Sequence, residues 1–262
     1  MVLGVRFDDE DPSIGDTLAL RLRPGRLDAV AALAGPARAI ACCGDDVVFI
    51  DARGDLRTLE GGRVLEDVID LFEDGEGASL SGSPPESRLL ALQGSGEVVD
   101  VVTGAAVLRV RGARSIRGGA VVTSDALYTL DGVKAHNGPV DVAASSGHRL
   151  AWAKGRNLVV DGRPFVLRQP AHALCFAFGD CFVSSNISGL SVVDEHGLRA
   201  LRPSLRAHTL TVLNDGLLVV SDLMVATSED GVDFISRDLA SYVRLAEKES
   251  VRPSAKHAQQ SP

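Results

Sequence analysis

The stretch PAHALCFAFGDCFVSSNISGLSVVDEHGLRAL, from Pro170 to Leu201, decides the fold, because it contains four short apolar runs separated by turn residues. The runs ALCFAF, CFVSS, LSVV and LRAL are bounded by Gly, Asp, Asn and Ser. This pattern is typical of β-strands joined by tight hairpins, whose turns need residues that accept a positive φ. The stretch therefore predicts a four-stranded antiparallel sheet.

The same order of strands and turns recurs along most of the chain. Five further copies begin at Pro36, Glu86, Gly112, Pro139 and Arg206. Such a sheet cannot bury both of its faces alone, so the copies must stack on one another. Radial stacking produces a β-propeller and linear stacking a β-solenoid, and four strands per unit of variable length favour the propeller. The sequence thus predicts an all-β propeller with four-stranded antiparallel blades.

The number of blades depends on the two ends of the chain. The N-terminal runs VLGVRF and TLALRLR can complete a seventh blade by pairing with a late run such as SYVRLA, so seven blades are favoured and six are the alternative. The stretch from Val68 to Glu86 is either a loop insertion or a degenerate blade. We predict a propeller over residues 1–237, a closing strand or short helix over 238–249 and a disordered tail over 250–262.

Two kinds of turn resemble motifs of known propeller families. The stretch SEDGVDF, Ser228 to Phe234, resembles the Asp-box of sialidase-like and sortilin-like propellers, with Phe in place of the usual Trp. The stretches FIDARGDL and VVDEHGL look like the turn V-x-D-x-x-G of NHL-type propellers. The resemblance implies a propeller over nearly the whole chain. Asp-boxes stabilise turns on the rim of such proteins, so the motif implies no catalytic residue.

Composition limits the partners and the compartment. The net charge is -8, which opposes the basic surface expected of proteins that bind nucleic acid or anionic membranes. No signal sequence and no apolar run of about 18 residues is present, which predicts a cytoplasmic protein. Only four of the 27 basic residues are lysine, a usage typical of a GC-rich bacterial genome. A protein partner is therefore expected.

The four cysteines are predicted to be thiols without a metal. Cys42 and Cys43 are adjacent, so they point to opposite faces of a strand and cannot form half of a tetrathiolate site. Cys175 and Cys181 flank the sequence FGD, where a two-residue loop at Gly179-Asp180 would pair Cys181 with Phe178. We expect all four cysteines to be structural.

No catalytic, cofactor or metal site is predicted. Sialidase-like catalysis would need a tyrosine nucleophile, and the chain has only Tyr128 and Tyr242. The six histidines never form a pair with metal-ligand spacing, and Asp141 is the only carboxylate that the pattern places near a channel. The nucleophile-elbow motif G-x-S-x-G is also missing. We therefore expect the protein not to be an enzyme.

One set of polar residues nevertheless shares a position in the repeat, just before the first strand of each copy. The set is Arg38, Arg88, Arg114, Asp141, His172 and His208. In a propeller the first strand lines the central channel, so these side chains are predicted to ring one mouth of that channel. They could bind an anion or acidic peptide through guanidinium groups, or simply pair with carboxylates and carbonyls of neighbouring blades.

These observations favour a non-enzymatic scaffold or protein-interaction module of a bacterial cytosolic complex. The alternative is a propeller that binds a small anion, or a hydrolase such as a lactonase, with its site at the channel mouth. A third possibility is an accessory subunit that docks through the C-terminal tail from Asp238.

Overall fold

Strands and turns make up all of the chain that the structure, a computed structural model, describes. The described residues are 2–6, 17–23, 26–33, 37–43, 46–74, 88–213, 216–221 and 224–238. Their 27 strands form six four-stranded sheets and one three-stranded sheet, and neighbouring strands within each sheet are antiparallel. The protein is a β-propeller with four-stranded antiparallel blades, as the repeat predicted. Its blades are the six four-stranded sheets, so the blade number is the alternative of six and not the favoured seven.

The first three blades follow a three-stranded N-terminal sheet. That sheet contains β1 (Val2–Arg6), β2 (Thr17–Arg23) and β3 (Arg26–Leu33). Blade 1 contains β4 (Ala39–Cys43), β5 (Asp46–Ile50), β6 (Leu56–Thr58) and β7 (Arg63–Leu65). Blade 2 contains β8 (Val68–Asp74), β9 (Arg88–Gln93), β10 (Glu97–Asp100) and β11 (Ala106–Arg109). Blade 3 contains β12 (Ser115–Arg117), β13 (Ala120–Val122), β14 (Ala126–Thr129) and β15 (Lys134–Asn137).

The last three blades have the same meander order. Blade 4 contains β16 (Val142–Ser146), β17 (Arg149–Lys154), β18 (Asn157–Val160) and β19 (Arg163–Val166). Blade 5 contains β20 (Ala173–Ala177), β21 (Asp180–Ser185), β22 (Gly189–Asp194) and β23 (Gly197–Arg202). Blade 6 contains β24 (Thr209–Leu213), β25 (Gly216–Val220), β26 (Met224–Ser228) and β27 (Ile235–Asp238).

The apolar core lies between blades rather than within them. In β20, Leu174 and Phe176 pack in a cluster shared with blade 4, while Cys175 and Ala177 pack in a cluster shared with blade 6. Similar clusters join blade 1 to blade 2, blade 2 to blade 3, and blade 3 to blade 4. Successive strand residues point to opposite faces, so each blade needs a neighbour on both sides.

The first strands of adjacent blades contact one another around the central channel. We call the end of the channel at which these strands begin the entrance face, marked by His172. The end at which they finish is the exit face, marked by the turn Phe178–Gly179. Turns between first and second strands, and between third and fourth strands, therefore belong to the exit face.

The first strand of blade 2 is β8, which corrects the sequence interpretation of this region. The stretch Val68–Glu86 was expected to be a loop insertion or a degenerate blade, but Val68–Asp74 forms the innermost strand and pairs with β9. Its acidic residues disguise it, because Asp70, Glu73 and Asp74 interrupt the apolar run.

Two of these acids join β8 to the first strands on either side. Asp70 Oδ2 accepts a hydrogen bond from the N–H of Ile116 in blade 3 at 3.0 Å. Glu73 Oε1 accepts one from the N–H of Cys42 in blade 1 at 2.6 Å. First strands are the inner edges of their sheets, and an edge N–H needs a partner. The carboxylates therefore satisfy backbone groups that the sheets leave unpaired.

The N-terminal strands form a sheet of their own, and β1 contacts β4 of blade 1. The predicted partner SYVRLA, the closing element over 238–249 beyond Asp238, the tail over 250–262 and Tyr242 lie outside the described residues. In the part of the chain that the structure describes, no helix is long and apolar enough to cross a membrane.

Burial raises the pKa of Asp70 above its ordinary value of 3.8, so this carboxyl takes up a proton in the folded state before it does in the unfolded chain. Its contribution to stability is therefore greatest below pH 3.8 and declines as pH rises through the folded pKa. Asp70→Asn keeps an oxygen that accepts from Ile116 and removes the charge. We expect the free energy of unfolding of wild type, relative to this variant, to increase as pH falls from 7 to 4.

Urea unfolding at several pH values measures this difference. Asp194→Asn is the matched control of opposite sign, because the hydrogen bond from Arg199 lowers the pKa of Asp194. Wild type should exceed that variant in stability at pH 7, and the gap should shrink below pH 4. A difference in the free energy of unfolding between wild type and Asp70→Asn that does not change with pH would contradict this explanation.

Candidate functional site

Five of the six polar residues that the sequence placed at a channel mouth share one structural position. In each case the backbone N–H donates to the carbonyl of the last or next-to-last residue of the second strand. The pairs are Arg38 with Ile50, Arg114 with Val122, Asp141 with Ala153, His172 with Ser184, and His208 with Val220. These residues open the first strands of five blades, at the entrance face.

Their side chains are exposed, and those with described partners bind within their own blade. Arg38 Nη2 donates to the carbonyl oxygen of Ala52 at 2.8 Å. Asp141 accepts from Lys154 Nζ at 2.5 Å and from the N–H of Gly155 at 2.7 Å. The Lys154 hydrogen bond holds the pKa of Asp141 below its usual value. These contacts tie Arg38 and Asp141 to the next turn of the same blade, and not to a neighbouring blade as in one of the two alternatives.

The structure places Arg88 elsewhere. Arg88 opens β9, a second strand, and pairs with Asp74 at the far end of β8. Its Nε donates at 2.6 Å to Oδ2 of Asp100, the last residue of the third strand β10. Arg88 therefore lies at the exit face. The sequence pattern did not identify β8 as a strand, so it assigned β9, the second strand of blade 2, as the first strand of that blade.

The turn Phe178–Gly179 at the exit face has unusual backbone geometry. The φ angles are 53° at Phe178 and 84° at Gly179, and they connect β20 to β21 through a two-residue turn. Positive φ at both positions defines a turn that usually begins with Asn, Asp or Gly. A turn of the same kind joins the third and fourth strands of blade 4. It consists of Asp161 and Gly162, with φ angles of 49° and 77°.

A bulky residue at positive φ is a steric outlier, and it costs about 1–2 kcal/mol. The Phe178 side chain is nevertheless 40% exposed. Its ring lies edge-on to Phe182 at a centroid distance of 6.3 Å. It also covers Gly231 in blade 6, where an added Cβ would lie 2.9 Å from Phe178 Cδ2. Exposed Val232, next to Gly231, extends this apolar surface across two blades.

The turn also corrects the sequence interpretation of the cysteines. The turn residues are Phe178 and Gly179, not Gly179 and Asp180, so Cys181 pairs with Phe176 and Cys175 pairs with Phe182. All four cysteines lie among the described residues and none forms a disulfide. Burial raises the pKa of the Cys181 thiol to about 12, as expected of a structural cysteine.

Next to Phe178, a cleft of about 600 Å³ separates blades 4 and 5 at the exit face. Three arginines line it, namely Arg149, Arg163 and Arg199. Arg149 donates from Nε to Asp161 Oδ2 at 2.8 Å and also donates to the carbonyl of Gly179. Its guanidinium lies 4.6 Å from the centre of the Phe176 ring. Arg149 thus connects the cleft to the strained turn.

Acidic groups line the other side of this cleft. Arg199 Nε donates to Asp194 Oδ2 at 2.7 Å. Burial, followed by the nearby charge of Asp194, raises the pKa of Asp180. Glu195 and His196 stand at the exposed rim. The cleft is therefore a mixed-charge surface in which two of the three arginines are oriented by carboxylates.

The turn that resembles an Asp-box has a structural role. Ser228, which is buried, donates from Oγ to Asp230 Oδ1 at 3.0 Å and accepts from the N–H of Gly231 at 2.9 Å. Asp230 Oδ1 accepts from the N–H groups of Val232 and Asp233, both at 2.8 Å. These hydrogen bonds place Gly231 beneath the Phe178 ring.

Within the described residues, no group of three or more His, Cys, Asp or Glu side chains is arranged to hold a metal ion. Sequence reasoning missed Phe178, because its pattern is that of an ordinary strand residue. It also missed Glu73, because β8 was not recognised. A signal for Phe178 was present in the two-residue spacing FG between apolar runs, where Asn-Gly or Asp-Gly is usual.

No protein-family model matches the chain, and no curated protein matches it. Several solved structures resemble it. The computationally designed Ika8 protein shares 14% identity, with 86% of this chain and 81% of that chain covered and a TM-score of 0.52. Kluyveromyces lactis Hsv2 shares 12% identity, with 91% and 98% covered and a TM-score of 0.52.

PorZ of Porphyromonas gingivalis, a surface component of the type-IX secretion system, shares 14% identity. The match covers 78% of this chain and 33% of PorZ, with a TM-score of 0.52. At these identities the similarities concern the fold alone.

Replacement of Phe178 by Asn tests whether the ring contributes to stability. The substitution relieves about 1–2 kcal/mol of backbone strain. It removes a partly buried ring, and full burial of a phenylalanine is worth about 1.5–3 kcal/mol. We expect the two effects to offset, with a change of less than about 1 kcal/mol in the free energy of unfolding, measured by urea denaturation.

Phe182→Ala is the matched control, because Phe182 is only 2% exposed. Loss of this buried ring should cost about 3–5 kcal/mol. If Phe178→Asn cost as much as the control, the exposed ring would be a structural part of the core.

Proposed function

We propose that this propeller is a non-enzymatic protein-interaction module, a scaffold subunit that binds a protein partner through the exit face of blades 4, 5 and 6. The observation that carries the proposal is Phe178, a bulky aromatic side chain held at a positive φ with 40% of its surface exposed. Strained residues are kept where the surrounding structure over-determines them, and they cluster at functional sites.

The surroundings of Phe178 have the composition of a protein interface. Exposed Val232 continues the apolar surface on blade 6, and arginines line the adjoining cleft. Aromatic residues and arginine are enriched at the centres of interfaces, and they supply most of the binding energy there. A partner that covered Phe178 would bury apolar area and leave the polar cleft as the rim.

The polar groups of this face suit recognition better than catalysis. Arg149 is paired with Asp161 and Arg199 with Asp194. Paired guanidinium groups hold fixed orientations, and their remaining N–H groups can contact carbonyls or carboxylates of a partner. Propellers commonly present such broad faces built from turns.

The alternative site, the entrance-face residues, is less favoured. Arg38 and Asp141 are bound to the turns of their own blades. Arg88 belongs to the opposite face. A small anion or acidic peptide at the entrance face would thus meet fewer basic groups than the sequence predicted.

Site-specific photocrosslinking distinguishes the two faces. The photoreactive amino acid p-benzoylphenylalanine is placed at position 178 in one variant and at exposed Arg114, on the entrance face, in the other. Each protein is irradiated in an extract of the source cells, and adducts are identified by mass spectrometry. We expect a discrete protein adduct from position 178 and none from position 114, because only the exit face is covered by the partner.

Competition with unlabelled protein tests whether the adduct formed at position 178 reflects specific binding. Unlabelled wild type should suppress the adduct, while Phe178→Asn should require at least about tenfold more protein for the same suppression, as expected of an interface hot spot. An adduct from position 114 alone, or equal competition by both proteins, would contradict the proposal.

A further inference from the structure

A small cavity opens into the central channel on the wall formed by β8, β16, β20 and β24. It has a volume of about 90 Å³ and shares no described lining residue with the exit-face cleft. A water molecule occupies about 30 Å³ of liquid, so the cavity has space for about three waters or a molecule of four or five heavy atoms.

Among the described residues that line this cavity, Glu73 is the only charged one. Its carboxylate accepts from the N–H of Cys42 through Oε1, at 2.6 Å, which orients the group. Burial raises the pKa of Glu73, since the charged form loses hydration. A cation in the cavity would compensate for that loss. The charge of the lining therefore selects against anions.

Two residues with hydroxyl side chains, Ser145 of blade 4 and Thr211 of blade 6, belong to the same lining. An alkylammonium group carries three N–H donors and no acceptor. The carboxylate and the two hydroxyls together offer three acceptors from three different blades. Three acceptors are the number that the three N–H donors of an alkylammonium group require.

The remaining wall suits a short hydrocarbon chain. Phe72 and Phe176 also belong to the lining. The turn after β12 stays close to this wall because it is built of glycine. At Gly119, with a φ of 77°, an added Cβ would lie 2.5 Å from Ser145 Oγ and 3.4 Å from the Phe72 ring. The glycine thus leaves room beside Ser145 and Phe72.

We propose that this channel cavity binds a primary ammonium group carried on a short alkyl chain, with Glu73 as the counter-ion. Ser145 and Thr211 accept the other N–H groups, and the rings of Phe72 and Phe176 flank the alkyl part. The site is separate from the exit-face interface and does not rest on it. Its occupant is a small molecule, the class of short aliphatic amines.

Nuclear magnetic resonance titration with n-propylamine hydrochloride at pH 7 tests the proposal. We expect saturable shifts at the amides of Cys42 and Ser145, with weaker binding of n-propanol and none of propionate. Glu73→Gln keeps an acceptor for Cys42 and removes the charge, so it should weaken n-propylamine binding by at least about tenfold. Ser145→Ala should weaken it by about two- to tenfold, the range for one neutral hydrogen bond.

Glu195→Gln is the matched control, since Glu195 is exposed and lies outside the cavity. This variant should bind n-propylamine as wild type does. The charge of the chain's own amino group also lowers the pKa of Glu73, so the titration is repeated on amino-acetylated protein, which should bind at least as tightly.

Three outcomes would overturn the proposal. They are the absence of saturable n-propylamine binding to the wild-type protein, equal binding of n-propanol and n-propylamine, and equal n-propylamine affinity of wild type and Glu73→Gln. The urea midpoint of each variant is measured alongside, so that an unfolded protein is not mistaken for a lost site.

Discussion

Packing between blades is the constraint on which the rest of this structure depends. A four-stranded sheet has two faces and no interior, so the apolar residues of each blade are buried only when a neighbour stands on either side. Successive residues of β20 face different neighbours, since Leu174 packs against blade 4 and Cys175 against blade 6. The ring of first strands, and the channel that they enclose, follow from this requirement.

The positions that escape this constraint are the ones that we connect with function. Turns at the exit face do not fill the space between blades, so Phe178 can be exposed at a strained φ where Asn or Asp would serve the turn better. The sides of the first strands that face the channel also do not have to pack against a neighbouring blade. There Asp70 and Glu73 satisfy backbone N–H groups of adjacent blades, and Glu73 in addition faces the cavity.

The architecture could be predicted from the sequence because apolar runs and turn residues repeat with the meander. The assignment of strands in blade 2 could not be predicted, because similar turn sequences join different pairs of strands in different blades. FIDARGDL connects second and third strands in blade 1, whereas VVDEHGL connects third and fourth strands in blade 5. With β8 hidden by its acids, Arg88 was aligned with Arg38 although they lie at opposite faces. The contacts of Phe178 and Glu73 join residues of different blades, and no local pattern encodes them.

The central claim is that Val68–Asp74 is the innermost strand of blade 2 and part of the channel wall. Amide hydrogen exchange, followed by mass spectrometry of the peptide that covers residues 68–74, tests it most directly. The account predicts that these amides exchange as slowly as those of residues 173–177, the corresponding strand of blade 5, because both are paired in sheets. Exchange within seconds, as in an unstructured loop, would contradict it.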